Sequence, residues 1–108
     1  MDLLNTPQWY RIADSFNDIR LQENGIAVYD AGEKKICVAR YKEEWFAFNY
    51  KCPHASGILA DGYVDAIGNV VCPVHRYRFN LRTGRNSEGY FLKVYLLEGR
   101  EDGVYVRV

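Results

Sequence analysis

The 108-residue sequence is poor in the residues that most often announce a special chemistry, with three cysteines, two histidines, three prolines and one methionine. Three cysteines cannot make an even disulfide framework, which points to a reducing compartment and to a use other than covalent stapling. Net charge is missing as well. Fourteen basic residues balance 14 acidic ones, so no overall field exists to recruit nucleic acid or a membrane surface. No apolar run approaches the roughly 20 residues of a membrane span, and Met1–Asn5 lacks the cationic start and apolar core of a secretory signal. A cytoplasmic protein, monomeric when isolated, is the expectation. No low-complexity tract, linker or solenoid repeat divides the chain, so residues 1–108 read as one domain.

A sustained 3.6-residue apolar period is also absent, and only Ser15–Leu21 offers room for a short turn or a poorly formed helix. The remainder alternates. Strands are expected at Trp9–Ala13, Gly25–Tyr29, Lys35–Tyr41 and Trp45–Phe48, the last two joined as a hairpin through Lys42-Glu43-Glu44. Further strands follow at Gly62–Ala66, Asn69–Val71, Tyr77–Leu81, Phe91–Leu97 and Val104–Val108, with Glu98–Gly103 as a connecting loop. Turn signals about every ten residues predict an all-β antiparallel sandwich or barrel.

Against this scaffold stand two near-copies of one pattern, Cys52-Pro53-His54-Ala55-Ser56-Gly57 and Cys72-Pro73-Val74-His75, with 17 residues between His54 and Cys72. Both histidines of the chain fall in it. Two thiolates and two imidazoles imply a metal, and Cys52, His54, Cys72 and His75 are the candidate ligands. A structural zinc site in an interaction module is one reading, but zinc modules usually group like ligands, whereas here cysteine and histidine alternate. A Cys-x-His pair is too short to close a comfortable chelate on one ion, so two metal positions suit it better. The third cysteine, Cys37, lies between Ile36 and Val38 in an alternating strand and reads as a small buried hydrophobe. Asp61 and Asp65 lie between the two loops and read as turn residues as readily as groups oriented toward the metal.

With a proline after each candidate cysteine and the tail His75-Arg76-Tyr77-Arg78-Phe79-Asn80-Leu81-Arg82-Thr83-Gly84, the chain from Trp9 to Val108 resembles the Rieske-type ferredoxins. The resemblance implies three small antiparallel sheets with a [2Fe-2S] cluster held at one tip by two loops. Cys52 and Cys72 would bind the inner iron and His54 and His75 the outer one. It also implies a one-electron carrier, not an enzyme in its own right, passing electrons from a flavin-containing reductase to a terminal oxygenase. The rival is the small subunit of an assimilatory nitrite reductase, which resembles these ferredoxins closely.

Departures from the respiratory Rieske pattern matter for the redox level. Its second cysteine in each loop, joined there as a disulfide, is replaced here by Gly57 and Val74. Its potential-raising serine and tyrosine hydroxyls are replaced by Tyr77 and Phe79. A hydrogen bond to a charged group is worth roughly 1.5 to 3 kcal/mol, or at most about 65 to 130 mV per electron, so a potential near the low end of the Rieske range is expected. Ser56 and Gly57 are expected to shape the first loop through turn geometry. Arg76 stands where soluble relatives usually have glycine, and with Lys51, Arg78, Arg82 and Arg85 it is expected either to form a basic rim for an acidic partner or to cover apolar surface.

Overall fold

A computed structural model describes residues 6–54 and 57–108, and among these the architecture is antiparallel β with no α-helix. The strands are β1 (Trp9–Ala13), β2 (Ile26–Ala31), β3 (Lys34–Tyr41), β4 (Glu44–Asn49), β5 (Tyr63–Val64), β6 (Asn69–Val71), β7 (Arg78–Asn80), β8 (Val94–Arg100) and β9 (Gly103–Arg107). Short 3-10 turns sit at Phe16–Asp18 and Leu59–Asp61. No helix of the described residues is long and apolar enough to cross a membrane.

The strands make a six-stranded sheet in the order β1-β9-β8-β4-β3-β2 and a small sheet in the order β5-β6-β7. Two sheets thus appear where three were expected. The reason is β8, which changes partner along its length. Val94 and Tyr95 pair with Phe48 and Ala47 of β4, while Leu96 to Arg100 pair with Arg107 to Gly103 of β9. This one strand fuses two three-stranded units into a nearly closed barrel. At the seam, Tyr10 of β1 lays its ring against Gly32 just beyond β2, where a Cβ would sit 2.8 Å from the ring.

Strand β3 shows why the barrel has an inside on both faces. Ile36, Cys37, Val38 and Ala39 are all fully buried, and successive side chains of a strand point to opposite faces. Ile36 and Val38 join Ala27, Ala47, Val104 and Val106 in one core. Cys37 and Ala39 join Ile26, Phe48, Phe79, Leu92 and both Cys52 and Cys72 in the other. Cys37 is the small buried hydrophobe that its neighbours in sequence predict, and burial pushes its thiol up to about 12. The second core is the floor on which the candidate site rests.

The C-terminal hairpin departs from expectation. Strand β8 begins at Val94 instead of Phe91, and the expected Glu98–Gly103 loop shrinks to a turn at Glu101-Asp102, since Glu98, Gly99 and Arg100 pair with Tyr105, Val104 and Gly103. Charged side chains on the outward face concealed that pairing. Phe91 instead bridges to Arg85, and the Leu92 N–H donates to the Gly84 carbonyl at 2.8 Å.

Asp65 ties the small sheet together. Its largely enclosed carboxylate accepts from the N–H groups of Ile67 (3.0 Å) and Asn69 (2.9 Å), from the Asn69 amide (3.1 Å) and from the Arg78 guanidinium (2.7 Å). Burial alone would raise its pKa, but the donors of Asn69, Ile67 and Arg78 prevail and hold it below the usual carboxylate value. A depressed folded-state pKa contributes stability that is complete above the unfolded value and lost as pH falls through the folded one. Urea titration at pH 7 should find Asp65→Asn less stable by about 2 kcal/mol, a figure kept modest because Arg78 is half exposed. The difference should fade as pH drops below about 3.9, and equal stabilities at pH 7 would refute the assignment.

Candidate metal centre

Both halves of the repeated motif fold alike. The Cys52 N–H donates to the Gly57 carbonyl at 2.9 Å, and Lys51 bridges to Ile58 outside that bond. In the same way the Cys72 N–H donates to the Tyr77 carbonyl at 2.8 Å, and Val71 pairs with Arg78. Each cysteine therefore opens a loop sealed by a bond to the residue five positions on. The first loop leaves β4 and re-enters at the Leu59–Asp61 turn; the second links β6 to β7. Ser56, expected to help shape the first loop, lies outside the described residues.

The loops meet at Gly57. A Cβ there would sit 2.7 Å from Cys72 Sγ, 2.9 Å from Val74 Cγ2 and 3.3 Å from Val74 Cβ. Only glycine allows that approach. Positions 57 and 74 thus face each other at close to the Cβ separation of about 3.5 to 4.5 Å that a disulfide spans, and glycine and valine leave them unlinked.

The four candidate side chains gather at this junction in a graded way. Cys52 and Cys72 are buried, at 6% and 0% exposure; His54 is half-buried and His75 exposed. The two thiols lie in the same core and act on each other electrostatically. Burial drives the Cys72 thiol up to about 11, the Val74 N–H that it accepts opposes this, and Cys52 adds to it. The imidazole centroids lie 5.9 Å apart with the rings tilted at 57°. His75 has φ 64° and Arg76 has φ 56°, the left-handed region that costs an ordinary residue about 1–2 kcal/mol. This backbone accounts for the glycine that soluble relatives place after the second histidine; Arg76 occupies the same conformation with a side chain attached.

Whether the set suits a metal is answered by one atom. Nδ1 of His54 is buried without a hydrogen-bond partner among the described residues, and a buried polar atom left unpaired is rare unless a ligand is meant to meet it. Two thiols and an unpartnered ring nitrogen beside them fit a metal group. Among the described residues, no three Cys, His, Asp or Glu side chains converge on a point that a single ion would occupy.

The Rieske [2Fe-2S] domain family matches residues 8–90. The chain belongs to that family. Its cofactor is a Rieske-type [2Fe-2S] cluster held by cysteine and histidine. Among relatives, the anthranilate 1,2-dioxygenase ferredoxin subunit of Burkholderia cepacia is 43% identical over 54 residues, covering 50% of this chain and 49% of that one. The chain thus spans about half the length of that relative. The 3-phenylpropionate/cinnamic acid dioxygenase ferredoxin subunit of Photorhabdus laumondii is 30% identical over 88 residues, covering 73% of this chain and 84% of that one. Among solved structures, a complex of reduced oxygenase and oxidized ferredoxin in carbazole 1,9a-dioxygenase superposes with a TM-score of 0.74 at 25% identity, covering 91% of each chain. A Mycobacterium tuberculosis protein described as an NADH-dependent nitrite reductase small subunit shares the fold with a TM-score of 0.77 at 15% identity, covering 96% of this chain and 97% of that one.

The basic rim of this Rieske domain is smaller than expected. Arg78 is committed to Asp65 at 2.7 Å. Arg82 pairs with Glu44 at 2.7 Å and stacks on Phe46 at 5.3 Å from the ring centre. Lys51, Arg76 and Arg85 are exposed and take part in no ion pair among the described residues. What the sequence did not reveal is an aromatic collar. Tyr77 and Tyr90 meet the His54 ring edge-on at 4.0 and 4.4 Å between centroids. Tyr90 lies 36 residues beyond His54, and nothing in its neighbours marks it.

Two substitutions probe this backbone. Arg76→Gly should raise stability by about 1 kcal/mol by removing left-handed strain, net of the extra freedom glycine gives the unfolded chain. Gly57→Ala should strip the protein of iron, read by iron and acid-labile sulfide analysis, since its methyl would strike the Cys72 sulfur. Retention of full iron by Gly57→Ala would contradict the close approach.

Proposed function

We propose that this chain is a one-electron carrier whose cluster is held by Cys52, His54, Cys72 and His75, and that it serves as the ferredoxin of an oxygenase system. The observation that carries this is the junction of two matched loops, with buried thiols inside, imidazoles outside and the His54 Nδ1 unpartnered. Cys52 and Cys72 are suited to the inner iron by burial, and His54 and His75 to the outer one by their position toward solvent. When bound, the group takes up and gives back one electron. The chain's own part is to bind it, to keep water from the sulfur side and to set the imidazoles on the side nearer solvent. A site whose coordination is filled by protein leaves no open position for substrate, so the chain alone does not catalyse oxygenation.

Named relatives that are oxygenase ferredoxin subunits support the oxygenase reading. The nitrite reductase small subunit shares the fold at low identity, which favours neither reading over the other. A single domain in a cytoplasmic setting, a flavin-containing reductase as donor and a terminal oxygenase as acceptor complete the proposal. Lys51, Arg76 and Arg85 supply the remaining cationic rim for that encounter.

Anaerobically purified protein should be red-brown with two irons and two sulfides per chain, and Cys72→Ser or His75→Ala should lose the colour. A colourless protein with one zinc would overturn the assignment. Because Tyr77 and Phe79 take the places of potential-raising hydroxyls, the midpoint should lie near −150 mV. Voltammetry that returned a value above zero would refute that reasoning. Reduced protein mixed with oxygenase components of the related dioxygenases should deliver electrons, whereas stable co-purification with a sirohaem-containing subunit would favour the nitrite reductase role.

A further inference from the structure

The sequence between Gly84 and Leu92 forms a third loop at the tip, one that the two-loop description leaves out. Gly84, at φ 76°, packs so tightly that a Cβ would lie 2.0 Å from the Leu92 carbonyl oxygen. The Leu92 N–H donates to the Gly84 carbonyl at 2.8 Å, and Arg85 bridges to Phe91. The loop is lashed to β7, the strand that leaves the second cluster loop. The Asn80 N–H donates to the Arg85 carbonyl at 2.9 Å, and the Asn86 amide donates to the Arg78 carbonyl at 2.9 Å. Inside the loop the Glu88 N–H donates to the Asn86 side chain at 2.8 Å. These bonds fix where Tyr90 falls.

Tyr90 falls on His54 and not on His75. Its ring centre is 4.4 Å from the His54 imidazole and 5.5 Å from Tyr77. Tyr77 itself lies 4.0 Å from His54 and 6.3 Å from His75. His54 therefore has two tyrosine rings against it, while His75 has one more distant tyrosine ring, a left-handed backbone and an exposed side chain. We propose that Tyr90, held by the 85–91 hairpin, covers His54 and leaves His75 as the one imidazole through which the site exchanges electrons. Tyr90 is thus a positioning residue for electron transfer. An electron must cross van der Waals gaps to a partner, and Tyr90 packed against half-buried His54 hinders that approach, whereas exposed His75 meets the partner directly. The exposed side chain of Arg76 beside His75 puts a cation at the same port.

The inference rests on His54 and His75 being the outer ligands, so its test first separates that premise. Iron-loaded protein is treated briefly with diethyl pyrocarbonate, which acylates accessible imidazole nitrogen, and the adducts are located by peptide mass spectrometry. Native protein should be labelled at His75 and protected at His54. Tyr90→Ala should lose the His54 protection, and Tyr90→Phe, which keeps the ring, should restore it. Oxidation of the reduced protein by ferricyanide should slow after native labelling. Equal labelling of both histidines in red, iron-loaded native protein would overturn the inference while leaving the ligand assignment intact. Unchanged protection in Tyr90→Ala would overturn it equally. A native protein without iron would instead remove the premise, and the inference with it.

Discussion

Two backbone hydrogen bonds set the terms for everything at the tip. The N–H groups of Cys52 and Cys72 are tied back to Gly57 and Tyr77, so each sulfur is held by its own loop. Prepaid order of this kind lowers the cost of assembling a site. Without those closures the thiols would sit on mobile connections, and the burial that makes them neighbours would have to be supplied by the metal alone. The same bonds impose the need for glycine at position 57, since sealing both loops brings that Cα against the other loop's sulfur.

Around this junction the polar groups divide into two kinds of work. Asp65, Arg78, Arg82 and Glu44 form ion pairs that brace sheet edges, and their charges are neutralised locally. Lys51, Arg76 and Arg85 remain toward solvent. The distinction cannot be drawn from a sequence in which five basic residues simply cluster, because an ion pair depends on acidic residues brought near by the fold. Glu44 is 38 positions from Arg82, and Asp65 is 13 from Arg78.

Much of the scaffold and the class of cofactor could be read from local signals. Alternation in Trp9–Ala13 and the short apolar run Ile36–Ala39 are direct traces of strands, one half-buried and one buried on both faces, and the doubled Cys-Pro motif points to the cofactor's chemistry. Less legible was anything decided by long-range pairing. The split allegiance of β8 joined two expected sheets into one, because a strand's choice of neighbour leaves no mark in its own residues. The extension of β8 to Arg100 was masked by outward charges. The collar residue Tyr90 was invisible for the same reason as the ion pairs: its partner, His54, arrives from a different loop.

The pairing of β1 with β9 carries a further consequence. Gln8 and Val108 exchange two backbone hydrogen bonds at 2.8 and 3.0 Å, joining residues a hundred positions apart in sequence. The small sheet and second loop close instead over a dozen or so residues. Loop closure costs more entropy as the span lengthens, and distant contacts form late in assembly. The small sheet and second loop thus carry a low closure cost, while the barrel that holds the first loop depends on contacts between distant parts of the chain.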